Sequence, residues 1–107
     1  MAQNFRRYIA RNTGTSAVTI LTSASYDTII GINLANTTGS AINVSCYVTS
    51  SGNDYYICKS TNIPQYSTLS LIDSGKFVLQ SGDVLKVVSD TATSLDTWVS
   101  CVNDISS

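Results

Sequence analysis

The residue types able to do acid–base, nucleophilic or metal chemistry are few in this sequence, and their spacing is poor for all three. Ser81 and Asp83 flank a glycine in "LQSGDVL". A serine nucleophile needs a neighbouring base, usually histidine, and the chain has none. Apolar alternation on both sides of Gly82 is explained by a hairpin turn with the glycine at positive φ. Paired carboxylates could support glycosidic or proteolytic chemistry. However, Asp27, Asp54, Asp73, Asp83, Asp90, Asp96 and Asp104 all fall at expected strand ends or turns, where aspartate serves local hydrogen bonding. No spacing resembles a calcium loop, a Gly-rich nucleotide cradle or a CxxC zinc site. Cys46 and Cys58 fall on neighbouring expected strands, so a disulfide between them is open. The preferred reading makes them, with Cys101, small half-buried hydrophobes in a reducing cytoplasm. "NTT" at Asn36 and "NVS" at Asn43 match the glycosylation pattern and are taken as ordinary polar residues. The expectation is no enzyme, no cofactor and no metal.

The elements that would carry these residues are strands. The 107 residues are 43% hydrophobic and only 12% charged, against a usual charged share of about 25%. The 17 Ser and 13 Thr supply the polar surface instead. All seven acids are Asp, which favours turns where Glu would favour helices. A net charge of −1 argues against a general nucleic-acid binder, whose affinity rests on neutralising phosphates. No apolar run is long enough for a membrane helix, and "MAQNFRRYIARN" lacks the apolar stretch of a secretory signal.

Period-two alternation recurs along the chain. It places strands in "NFRRYIARN", "AVTILT", "TIIGINLAN", "AINVSCYVT", "NDYYICKS", "STLSL", "KFVLQ", "DVLKVVSD" and "DTWVSCVND". The turn chemistry of "ANTTGSA" makes residues 28–49 a hairpin, and Gly52 with Asn53 a further turn. Pro64 marks a loop. The fold expected is all-β: a single antiparallel β-sandwich, jelly-roll-like or Ig-like, of eight to nine strands. Residues 1–12 form an N-terminal arm or first strand, and residues 13–107 the sandwich. Ile30, Ile32, Leu34, Val44, Cys46, Val48, Leu69, Leu71, Leu85, Val87 and Trp98 should hold most of the core.

The candidate interface residues are Phe5, Arg6, Arg7, Tyr8 and Arg11 in the arm, and Tyr55 and Tyr56 beside a turn. Tyr26 is a further tyrosine beside a turn. Half of the six basic residues sit in the arm, flanked by aromatics able to contact a partner through burial and Arg–carboxylate pairing. As an arm, residues 2–8 should be removable without unfolding the domain.

The patterns "TIIGINLANTT", "IP" followed by an apolar strand, and "GKFVLQSGDVLKV" resemble small virion structural proteins of tailed bacteriophages, notably those infecting marine cyanobacteria. The likeness covers nearly the whole chain and is one of strands and turns. It departs at "PQYS", where such chains often carry Pro-Ala-Gly. The resemblance implies a non-enzymatic β-sandwich on the particle, most simply a capsid decoration or cement protein. Neck, tail or fibre placement, or a host-surface or glycan-binding module, are the alternatives. It further implies the major capsid protein or other virion proteins as partners, a homo-oligomer on the particle with no nucleic acid or membrane partner, and assembly in the host cytoplasm.

Overall fold

The computed structural model describes residues 4–23, 27–71 and 77–103. Among the described residues there are nine strands and no helix. They are β1 (Asn4–Thr13), β2 (Val18–Thr22), β3 (Asp27–Asn36), β4 (Ile42–Ser50), β5 (Asn53–Ile63), β6 (Thr68–Ser70), β7 (Phe77–Leu79), β8 (Val84–Ser89) and β9 (Leu95–Asn103). One sheet has the order β1-β9-β3-β6, with β7 also on β3; the other has the order β2-β8-β4-β5. β6 pairs with Asn33–Ala35 and β7 with Asp27–Ile29, so together they form one interrupted edge. The antiparallel pairs are then nested: β1 with β9, β2 with β8, β3 with β6 and β7, β4 with β5. That nesting is the jelly-roll form of the sandwich.

Inward side chains of both sheets meet in one core of Leu21, Ile29, Ile32, Leu34, Ile42, Val44, Cys46, Ile63, Leu79, Leu85, Val87, Leu95, Val99 and Cys101. Val48, Leu69 and Leu71 pack against it half-buried. Two expected core residues lie elsewhere. Ile30 is 38% exposed, because β3 carries a bulge between Ile29 and Gly31 against β9. The extra residue reverses the alternation, so Ile29 points inward before the bulge and Ile32 after it. Trp98 is 48% exposed. On β9 the inward face is Leu95, Thr97, Val99 and Cys101, which leaves Trp98 on the outside.

Two expected hairpins are corrected as well. β3 and β4 lie in different sheets, and so do β7 and β8. Their turns reverse the chain by crossing from sheet to sheet. Turn residues report the reversal but not which sheet receives the next strand. Gly82 does sit at φ 92, at the third position of a turn closed by Asp83 N–H donating to the Gln80 carbonyl (3.0 Å). Among the described residues the hairpin joins β4 to β5 through Ser51 and Gly52, with φ of 52 and 81, rather than through Gly52 and Asn53. Positive φ at both central residues matches the primed turns that suit strand twist.

β1 pairs with β9 from Asn4↔Asn103 to Ala10↔Thr97, and Tyr8 packs on the core. Removing residues 2–8 would therefore strip β9 of one of its two neighbours along Asn4–Tyr8 rather than trim a loose arm.

Candidate interaction surfaces

The pleat of β1 divides the arginine-rich segment between two faces. Arg6, Tyr8 and Ala10 turn toward the second sheet. Phe5, Arg7 and Ile9 turn outward, opposite Val102, Ser100 and Trp98 of β9. The outer face therefore carries Phe5 (72% exposed), Ile9 and Trp98, with the Arg7 guanidinium 5.4 Å from the Trp98 ring centroid. A cation over an indole face at that distance is favourable even in water. Beyond Trp98, Asn33 of β3 and then Ser70 of β6 continue the same row.

Beside this row is a shallow depression of about 660 Å³, lined by Ile9, Arg11, Asn33, Ala35, Thr68 and Trp98, among others. Arg11 reaches it because β1 is irregular between Ala10 and Thr13. There Asn12 takes φ 56, and its N–H donates to the Asp96 carboxylate at 2.9 Å. The sequence-derived group is thus split. Phe5, Arg7 and Arg11 join Ile9 and Trp98, which the sequence reading missed as surface residues. The signal was present for Ile9, since it alternates with Tyr8 and Ala10 in the same phase as Phe5.

Arg6 and Tyr8 belong to the inner side. Burial raises the Tyr8 phenol above its ordinary range; the nearby Cys101 and Asp27 add to this and Arg6 opposes it.

Tyr55 and Tyr56 lie on β5, at the edge of the other sheet. Tyr56 packs on Tyr47, with ring centroids 5.0 Å apart, and the Lys59 ammonium sits 5.0 Å from the Tyr56 centroid. Tyr55, Tyr56 and Val48 border a second groove of about 560 Å³, whose far side is Phe77, Leu79 and Asp83. The two tyrosines and the arginine face are therefore separate surfaces. Tyr26, Asp73 and Asp104 lie outside the described residues.

Several polar residues that could have done chemistry are committed to structure. The Asp83 carboxylate accepts the Gln80 N–H at 2.9 Å. The Ser50 hydroxyl and then that N–H hold its pKa below the ordinary value. Asp90 accepts from the backbone N–H of Asn43 at 3.1 Å and from its amide at 3.3 Å. Asn36 is 2% exposed. Its amide donates to the carbonyls of Ser40, Ile63 and Pro64 (2.8, 3.0 and 3.1 Å), and its oxygen accepts from the Thr38 N–H and hydroxyl. That nitrogen has no place for a glycan. It braces the crossing from β3 to β4 against the end of β5. Among the described residues no three of His, Cys, Asp and Glu converge in a group that could hold a metal ion.

Neither a protein-family model nor a curated protein sequence matches this chain. Its fold is similar to that of a solved chain described in the words "Bacillus endospore appendages form a novel family of disulfide-linked pili". The TM-score is 0.59 at 13% identity, covering 94% of this chain and 84% of the other. At that identity the likeness is one of fold.

Proposed function

We propose that this chain is a non-enzymatic structural subunit, and specifically a virion structural protein of a tailed bacteriophage that decorates or cements the head. The observation that carries the reading is the outer face of the β1-β9-β3-β6 sheet. Phe5, Ile9 and Trp98 stay largely exposed in the monomer, and aromatic residues and arginine are the types enriched where proteins meet. The partner that fits is a protein surface offering an apolar pocket for Trp98 and carboxylates for Arg7 and Arg11: the major capsid protein, another virion protein, or a further copy of this chain. The sequence resemblance supports the virion setting. The likeness in fold to a pilus-forming chain supports the broader role in an ordered assembly, although one fold hosts many functions.

The test is to locate the chain in purified particles by electron cryomicroscopy and to count it. Head decoration requires hundreds of copies on the capsid lattice with the Trp98 face against the shell. A few to a dozen copies at the neck or tail would move the role there, and absence from particles would overturn the virion reading. Phe5→Ala combined with Trp98→Ala should leave the melting curve close to that of the parent, because both side chains are exposed, yet lower recovery on particles by tenfold or so, about 1.4 kcal/mol. A host-glycan module is the second reading, favoured by the Tyr55–Tyr56 groove. Sugar binding in solution that Tyr55→Ala abolishes would decide for it.

A further inference from the structure

β5 is longer than the strand it pairs with, and it absorbs the surplus in two irregularities. Between Thr61 and Cys58 two residues face the single Ser45, and between Cys58 and Tyr56 lies the unopposed Ile57. Ser60 takes φ 50, and its N–H donates to the Ser45 hydroxyl at 2.9 Å. Together these bulges bring Cys58 directly opposite Cys46. They also turn Ile57 and Cys58 inward side by side, where a simple alternation would separate them. Both pack against the core, while Cys46 is wholly enclosed by it.

Directly opposed residues of an antiparallel pair share a face and have Cα atoms about 4.5–5.5 Å apart. Disulfides span Cα separations of about 4.4–6.8 Å. The direct register thus puts the pair in the range of backbone spacings a bond needs, and both cysteines are free thiols here. Cys101 is on β9 in the other sheet, opposite Arg6 and Ile29. It is not part of this arrangement.

We propose that Cys46 and Cys58 form a redox pair that closes into a cross-strand disulfide when the chain meets a small disulfide oxidant such as oxidised glutathione. The half-buried Cys58 reacts first. It loses its proton, and the thiolate attacks one glutathione sulfur, breaking the oxidant's S–S bond and releasing one glutathione thiolate. Cys46 then loses its proton and attacks Cys58 Sγ, expelling the second glutathione thiolate. The protein gives up two protons and two electrons, and the oxidant becomes two glutathione thiols. Burial and the neighbouring Cys58 push the Cys46 thiol up to about 12, so the second step is the slow one at neutral pH and quickens as pH rises. The bond would tie the exposed edge strand β5 to β4 and remove freedom from the unfolded chain.

The test incubates the full chain with oxidised glutathione, quenches in acid, denatures, alkylates all remaining thiols and weighs the intact protein. Wild type should carry one alkyl group, on Cys101, and lack the mass of two hydrogens. Its melting temperature should rise by about 5 °C or more and return on reduction. Cys101→Ser should still close the bond. Cys46→Ser should stop as a glutathione adduct on Cys58, and Cys58→Ser should keep both remaining thiols. Three alkylated thiols in the wild type, an adduct that never resolves, a bond involving Cys101, or covalent dimers would each overturn the proposal.

Discussion

Glycine at position 82 is there for its backbone alone. It sits at φ 92, and a Cβ built on it would meet nothing within 4 Å. Gly82→Ala should therefore cost about 1 kcal/mol through the left-handed backbone. Ser81→Ala, at an exposed neighbour, should cost close to zero. Urea unfolding of the two variants checks this; equal losses would mean that the Ser81 hydroxyl is part of the turn. The neighbouring case at Tyr66 is less tidy. The turn from Pro64 to Ser67, closed by a 3.2 Å bond, puts Tyr66 at φ 52, a left-handed conformation that glycine adopts far more readily. A Cβ added to Gly39 would lie 3.3 Å from the Tyr66 hydroxyl, so the ring rests against that glycine. The side-chain contact offsets part of the backbone strain. The turn glycine at 82 could be read from its neighbours in the chain, and the tyrosine at 66 could not, because what compensates it comes from the opposite side of a loop. Asn36 was illegible for the same reason. Nothing local separates a surface "NTT" from a buried brace whose three carbonyl partners lie up to 28 residues away.

Strands are where the sequence was most informative, and bulges are where it misled. All nine were visible from alternation and turn chemistry, with bounds within a few residues. Sidedness followed wherever the pleat was unbroken, as along β8 with Leu85 and Val87 inward. It failed at Ile30 and at the Ile57–Cys58 pair, because one inserted residue changes the phase of everything beyond it. Nothing in "TIIGIN" marks where the partner strand omits a residue. The reversal at β3 makes a clean test. Ile32→Asp should prevent folding, since an unpaired charge in the core is too costly. Ile30→Asp, two residues away and partly in water, should cost about 1 kcal/mol or less. Circular dichroism melts of both proteins check it, and equal damage would contradict the bulge. Trp98 failed for a different reason. Size and apolarity argued for the core, but on β9 the interior is already filled by Leu95, Val99 and Cys101.

Over the whole molecule, charge is sparse enough that titration should act only at the extremes. No histidine is present to change state near neutrality. Asp83 and Asp90 have folded pKa values below the ordinary 3.8, held there first by the Ser50 hydroxyl and the Asn43 N–H respectively. Their contribution is complete above that ordinary value and is lost as pH falls through the lower folded one. Cys46 works in the opposite sense. Its stabilisation is complete below the unfolded value of 9.0 and drains away as pH rises toward about 12. Melting temperature against pH should thus be flat from about 5 to 8.5 and fall on both sides. Cys46→Ala should remove much of the alkaline fall, and an unchanged alkaline limb would assign it to Cys101 and the tyrosines, whose burial raises them too. The nested strand order bears on synthesis too. β1 leaves the ribosome ahead of every other described strand, but its sheet neighbour β9 ends only at Asn103. At about 5–20 residues per second, Phe5, Tyr8 and Ile9 wait roughly 5–20 s for the strand that covers one side of them. During that interval the newborn chain displays an unpaired apolar strand to its surroundings. Arg6, Arg7 and Arg11, interleaved with those side chains, are placed where mutual repulsion would keep nascent neighbours apart.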